Sequence, residues 1–410
     1  MLFLIMNKHH FFILITGWFL LTQMFPPFNY LILRGGALTL SIFVGVSLLL
    51  FPELFTTKSI KAMLVYGMMM LLYYIAGNAF FKTIGNVIVP FLSMMSGLII
   101  IEYVIKYDSD YKYTRFFVLF AIVLNVIMAL FSIPQLIVNP LAIREFDEDL
   151  TNVSVSYWLC SYQVLHGLPY LLAPMVFLCK KLFKVNKIQF ILWVVPLALL
   201  SWMELLSNAV TAFLISVVMI IVGLLVSAEE FSKKNIAKIV LMVFFVFLFM
   251  TPSVIVPLLN TTQNYFQTNT NTYRRLEEIK TAVVYGESEG DLAARQELYD
   301  DSQALFWESP LVGTANPELI SRHTWIWDRL ACFGIIFIIP LLMVFVYHIK
   351  LVYKNLKHTK ITYIWGVVSY LMMLYFKNEF GTGTWLYAFA LLPLLCRYTD
   401  YLIDNKTINN

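Results

Sequence analysis

Arg274, Arg275, Arg295, Arg322 and His323 fall within one stretch, residues 259–328. Arginine presents a planar fork of donors that grips anionic oxygens in pairs. Histidine gives or takes a proton near neutral pH, and His323 is the only His of the stretch. These types together suit an anionic group and a proton transfer held at one place. Each also has a plain reading. Arg295 follows Asp291 by four residues, the spacing of an ion pair on a solvated helix face. His323, Trp325 and Trp327 suit an aromatic anchor with basic flanks at a membrane interface. The six His and four Cys show neither HExxH nor CxxC spacing, so no metal and no cofactor is expected.

The stretch reads as helices. Leu276, Ile279, Val283 and Val284 recur on one face of Tyr273–Tyr285. Gly286–Gly290 is a turn. Asp291 then caps a second helix that ends by Pro310, with Leu292, Arg295, Tyr299 and Phe306 roughly on one side. Leu311–Pro317 is another turn. From Glu318 the chain reads as helix again and runs through Asp328 and Arg329 into an apolar segment.

What must position these residues is a membrane. The chain has 410 residues, 60% hydrophobic and only 13% charged, with a mean hydropathy of +0.75. A soluble globular chain carries roughly 25% charge, so a soluble domain, a fibrous chain and a disordered chain are excluded. Apolar runs cut at turns and basic clusters give twelve segments: 10–25, 36–55, 62–81, 86–105, 115–137, 158–179, 188–204, 208–227, 237–258, 329–349, 361–377 and 385–398. The stretch 188–227 is too long for one span and divides near Ser207-Asn208. No small-x-small site precedes Phe25-Pro26-Pro27, so the first segment reads as a retained span. Of the 29 Lys and Arg, 19 fall on the side of the N terminus and 4 in the opposite short loops. The positive-inside rule then makes both termini cytoplasmic and the long loop external.

The layout is residues 1–258 as nine spans, 259–328 as one external helical loop and 329–410 as three spans with a cytoplasmic tail. With Arg329, the loop holds 6 basic and 11 acidic residues, so its arginines act locally or are paired. Two carboxylates fall inside spans, Glu102 near a cytoplasmic end and Glu204 near an external end. Glu102 is placed to snorkel. Glu204 is placed to orient an external arginine, to accept a proton, or to reach interfacial water. Arg144–Asp149 is a charge run that fits a solvated turn, and Lys377–Thr384 is a further external turn.

In order, the loop reads Arg274-Arg275-Leu276, a glycine-acidic turn, Ala-Ala-Arg295-Gln-Glu-Leu-Tyr299, Phe306-Trp-Glu-Ser-Pro310-Leu-Val-Gly313, and His323-Thr-Trp-Ile-Trp-Asp328 through Gly334. This resembles the large external loop of the bacterial O-antigen polymerase and O-antigen ligase superfamily. There an Arg-bearing helix leads to a Pro-Leu-x-Gly turn, and a His-Ser or His-Asn segment with a spaced Asp and Gly enters the next span. The likeness covers about 60 residues and the twelve-span layout. Two departures stand out. Thr324 occupies the Ser or Asn position, and Asn208 follows Ser207 where the ligases often carry Ser-Arg.

The resemblance implies an all-α, GT-C-like, metal-independent glycosyltransferase at the outer face of the bacterial cytoplasmic membrane. Its donor is a glycan on undecaprenyl pyrophosphate and its acceptor a sugar hydroxyl. It implies His323 and Arg295 as catalytic residues, with Arg295, Arg322, Arg274 and Arg275 on the pyrophosphate. Read from the residues themselves, Asp328 and Tyr299 are placed to orient these groups, and Glu204 is a further candidate support. The partners are lipid-linked oligosaccharides, membrane lipid and a separate chain-length regulator, with no nucleic acid. The leading expectation is a polymerase of lipid-linked repeat units for O-antigen, capsule or exopolysaccharide. A ligase that moves the glycan to another acceptor is the nearest rival, and the absent Ser-Arg tilts against it. A flippase would place charges within spans on both sides of the midplane.

Overall fold

The computed structural model describes residues 7–25, 28, 36–76, 80–139, 142–143, 159–207, 209–226, 252–264, 271–285, 290–315, 325–376 and 382–407. Among them there is no strand, and nearly every residue is helical. The helices are α1 (Lys8–Met24), α2 (Gly36–Leu50), α3 (Lys58–Ala76), α4 (Phe80–Tyr107), α5 (Lys112–Val138), α6 (Tyr162–Val185), α7 (Lys187–Leu206), α8 (Val210–Leu225), α9 (Pro252–Gln263), α10 (Asn271–Tyr285), α11 (Gly290–Glu308), α12 (Trp325–Asn355), α13 (Lys360–Phe376), α14 (Thr382–Leu386) and α15 (Leu392–Thr407). A π turn, Tyr387–Leu391, joins the last two into one rod.

Six of these rods are long and apolar enough to cross a bilayer. The expectation of an all-α, membrane-embedded chain holds at that level. Ser207 ends α7 and Val210 opens α8, which is where the sequence divided the long apolar stretch. Most of the ninth expected span and the whole Arg144–Asp149 run lie outside the described residues.

The two least apolar spans sit at the centre of the bundle. α6 and the α14–α15 rod are the least apolar of the six spans and the most buried. α5 and α12 are the most apolar and are less buried than these two, and α7, of intermediate hydropathy, is the least buried of all. Wrapped by other helices, α6 keeps the polar groups of Gln163 and His166 away from lipid. α6 packs against α7, α8, α13, α14 and α15 and is the hub.

Close approach at the hub depends on small residues, as in membrane bundles generally. A methyl group on Gly223 of α8 would stand 2.9 Å from the Ala173 carbonyl oxygen, and one on Gly366 of α13 would stand 2.9 Å from that of Tyr170. Polar pairs cross between helices inside the bundle. Tyr387 donates to Asn125 Oδ1, and Gln23 Nε2 donates to Thr39 Oγ1 at 2.6 Å. Glu102 does not snorkel. It is buried and accepts a hydrogen bond from Ser59 at the start of α3. A neighbouring hydroxyl satisfies the carboxyl more directly than a stretched side chain would.

Candidate functional site

α11 and α12 are the walls of the candidate site. Residues 295, 299, 302 and 306 of α11 recur at helical spacing on one face. Ser302 and Phe306 on that face are buried. Ser302 Oγ donates to Asp328 Oδ1 of α12 at 2.7 Å, and Asp328 is 1% exposed. The Phe306 and Trp327 rings stand 6.0 Å apart beside this bond. The Arg329 guanidinium lies over the rings of Trp325 and Phe333, 5.9 and 5.6 Å from their centres. A cation over aromatic faces is attracted by their ring quadrupoles.

Below Asp328 the helix is broken. Gly334 has φ 66° and ψ −179°, a backbone state open in practice only to glycine. The turn after α11 fills the break. Thr314 and Ala315 donate their N–H groups to the carbonyls of Ala331 (2.9 Å) and Cys332 (3.2 Å). Ile335 and Ile336 donate theirs to Pro310 (2.9 Å) and Leu311 (3.1 Å). Gly313, at φ 72°, lies backbone to backbone against Cys332, and Gly334 lies likewise against Leu311. The freed polar groups of a broken span need partners in the bilayer, and this turn supplies them.

Tyr73 of α3 closes the arrangement from the opposite side. Its hydroxyl shares its one proton between the carbonyls of Val312 (2.7 Å) and Cys332 and accepts from Ala315 N–H at 2.6 Å. Its ring packs on Phe333 and Phe337. Two stretches that carry the family resemblance, Pro310–Gly313 and Asp328–Gly334, are thus one structural unit.

α10 stands at the entrance to α11. Lys280 Nζ lies 2.6 Å from Glu277 Oε2, and Gln263 Nε2 of α9 donates to the same oxygen at 2.7 Å. These two donors, Lys280 first, hold the Glu277 carboxyl below its ordinary range. Arg274 is exposed and pairs with Glu278 at 3.8 Å.

Of the expected site residues, Asp328 is buried, Tyr299 half-buried and Arg274 exposed. Arg295 lies on α11 and Arg275 on α10, but their side chains lie outside the described set. Arg322, His323 and Thr324 lie outside it altogether, as do Gly286–Glu289, Asn316–Ile320, Asn208 and Lys377–Gly381.

Glu204 is not brought to Asp328. It is buried beside Ser216 of α8, and α7 packs on α5, α6 and α8. α12 packs on α3, α11 and α13, so the two helices share no main packing neighbour.

Sequence reading missed Tyr73, Ser302, Gln163 and His166. Ser302 had a signal, because it shares the face of Tyr299 and Phe306. Tyr73 had none. Gln163 opens α6, where its Oε1 accepts from Gly383 N–H at 3.0 Å, and His166 stacks on Tyr162 one turn on. Trp385, next on α14, meets Trp325 of α12 at 5.5 Å between ring centres. This polar end of the hub therefore adjoins the start of α12.

Among the described residues, no group of three or more His, Cys, Asp or Glu is placed to hold a metal ion. No protein-family model matches the chain, and no curated protein matches it.

Proposed function

We propose that the chain is a polysaccharide polymerase of the cytoplasmic membrane, with twelve spans in a GT-C-like arrangement and both termini in the cytoplasm. It joins undecaprenyl-pyrophosphate-linked oligosaccharide repeat units for O-antigen, capsule or exopolysaccharide at the external face. The observation that carries this reading is the seating of the Pro310–Gly313 turn in the break at Gly334. These stretches belong to the family resemblance, and their contact gives one physical reason for both glycines.

In the reaction, an acceptor sugar hydroxyl attacks the anomeric carbon of the donor with inversion. The bond from that carbon to the pyrophosphate oxygen breaks, and lipid pyrophosphate leaves. Negative charge grows on the leaving group, and arginine forks stabilise it. Arg295 and Arg322 are the first candidates, with Arg274 or Arg275 behind them. His323 takes the hydroxyl proton or donates to the pyrophosphate. Asp328 and Tyr299 orient these groups from α12 and α11.

The test is reconstitution in vesicles with a lipid-linked repeat unit, followed by gel analysis of product length. A ladder is expected. Transfer of one unit to a different lipid would replace this reading with a ligase, and lipid movement without bond formation would replace it with a transporter. Arg295→Ala and His323→Ala are expected to abolish the ladder while the protein still inserts.

A further inference from the structure

The turn that enters the break in α12 has a second property. Gly334 lies nine residues along α12 from Trp325, about 13 Å at 1.5 Å per residue. α12 has 31 residues, about 46 Å, against a hydrocarbon core of about 30 Å. Centred on that core, the break falls roughly 5 Å inside it. The hydrogen bonds of Pro310, Leu311, Thr314 and Ala315 to α12 fix the turn at the same depth.

The side chains of the turn agree with that depth. Trp307, Leu311 and Val312 are 69%, 62% and 49% exposed. No charged residue lies between Glu308 and Glu318. On α12 the exposed Ile335, Ile339, Leu342 and Val346 form one stripe at helical spacing. Leu311 meets the top of that stripe, since its carbonyl is bound by Ile336 N–H. Irregular backbone is tolerated at membrane depth only where it is buried in protein, and the backbone of this turn lies against α12 and Tyr73. The carbonyls of Pro310, Leu311 and Val312 are taken by Ile335 N–H, Ile336 N–H and the Tyr73 hydroxyl.

We propose that residues 309–313 are a re-entrant turn whose Leu311 and Val312 side chains insert among the acyl chains of the leaflet on the α11 side, with Trp307, beside the exposed Glu308, at its polar edge. The occupant of this surface is bilayer lipid, because the patch continues the lipid-facing stripe of a membrane span. The inference is independent of the reaction. It changes the loop from an external segment into one that is anchored in the bilayer beside Asp328.

The experiment uses the full chain in phospholipid vesicles. Nitroxide labels are placed singly at Leu311→Cys and Val312→Cys, with Glu297→Cys as an aqueous control and Ile339→Cys as a lipid control. The four native cysteines are buried, and unsubstituted protein gives the labelling background. Collision with oxygen and with a water-soluble nickel chelate reports depth. At 311 and 312 the oxygen-to-nickel ratio is expected to match Ile339→Cys and to exceed Glu297→Cys at least tenfold. A ratio equal to that of Glu297→Cys overturns the proposal in favour of an aqueous surface. Low collision with both reagents overturns it in favour of a protein partner or second copy. Should labelling disturb the turn, Trp307 reports instead. Brominated acyl chains are expected to quench a component of tryptophan emission that Trp307→Phe removes, and no such loss overturns the proposal.

Discussion

Ser302 and Asp328 are separated by 26 residues of sequence and by 2.7 Å in space. The bond ties the middle of α11 to the first turn of α12, above the break at Gly334. It holds one oxygen of a buried carboxyl at a fixed place on the wall that faces the proposed reaction.

Ser302→Ala removes that donor and leaves the volume almost unchanged. A hydrogen bond of this kind contributes about 0.5–1.5 kcal/mol. Thermal unfolding followed by fluorescence-detected gel filtration is expected to shift down, with repeat-unit transfer reduced further than stability. Unchanged melting and transfer would remove Asp328 from its supporting role.

Tyr73→Phe keeps the ring on Phe333 and Phe337 and deletes the shared hydroxyl. Ala315 N–H loses one of its two acceptors, and the carbonyls of Val312 and Cys332 each lose a donor. The expected loss is about 1–3 kcal/mol for groups left short in a buried setting. Protease access to residues 309–315 should rise in the variant. Equal cleavage in both proteins would mean that the backbone bonds to α12 suffice.

Gly334→Ala places a side chain in a backbone state that costs of order 1–3 kcal/mol. Its methyl would also stand 2.4 Å from the Leu311 carbonyl carbon. Gly313→Ala meets the Cys332 carbonyl oxygen at 2.3 Å. Both variants should lose most folded protein, measured as the monodisperse fraction after extraction. Gly45→Ala on α2 is the control, since nothing lies within 4 Å of the added methyl. Equal recovery of all three would contradict the packing of the break.

The Glu277 carboxyl titrates below its ordinary value of 4.5 because Lys280 and Gln263 donate to it. A carboxyl lowered in the folded state adds stability that is present above the unfolded value and lost as pH falls through the folded one. Hydrogen exchange in α10, corrected for its intrinsic pH dependence, should therefore rise below about pH 4.5. Glu277→Gln should flatten that rise. The effect is small, because the pair is solvent-exposed and screened.

Much of the frame was legible in the sequence because it is written in local periodicity. The chain stops at Leu206 and restarts at Val210 where the apolar run was too long for one span. α10 covers the predicted Tyr273–Tyr285 face, and α11 ends before Pro310 as a helix must. The site was less legible. Gly334 in an apolar run looks like any glycine in a membrane helix, and only its φ and its partner Leu311 mark it as a break. Tyr73 lies more than 230 residues from the groups it binds, so no window along the chain could join them. Glu102 was misread because Ser59 comes from another helix. Local pattern gives the rods; long-range backbone bonding gives the wall on which Asp328 sits.

The break in α12 also bears on the order of assembly. Synthesis runs from the N terminus, so Tyr73 and the turn at 309–315 leave the ribosome before Gly334 does. The carbonyls of Ala331 and Cys332 therefore meet donors that have already been made. A span whose gap is filled from upstream can enter the bilayer without waiting, exposed, for a partner still to be translated.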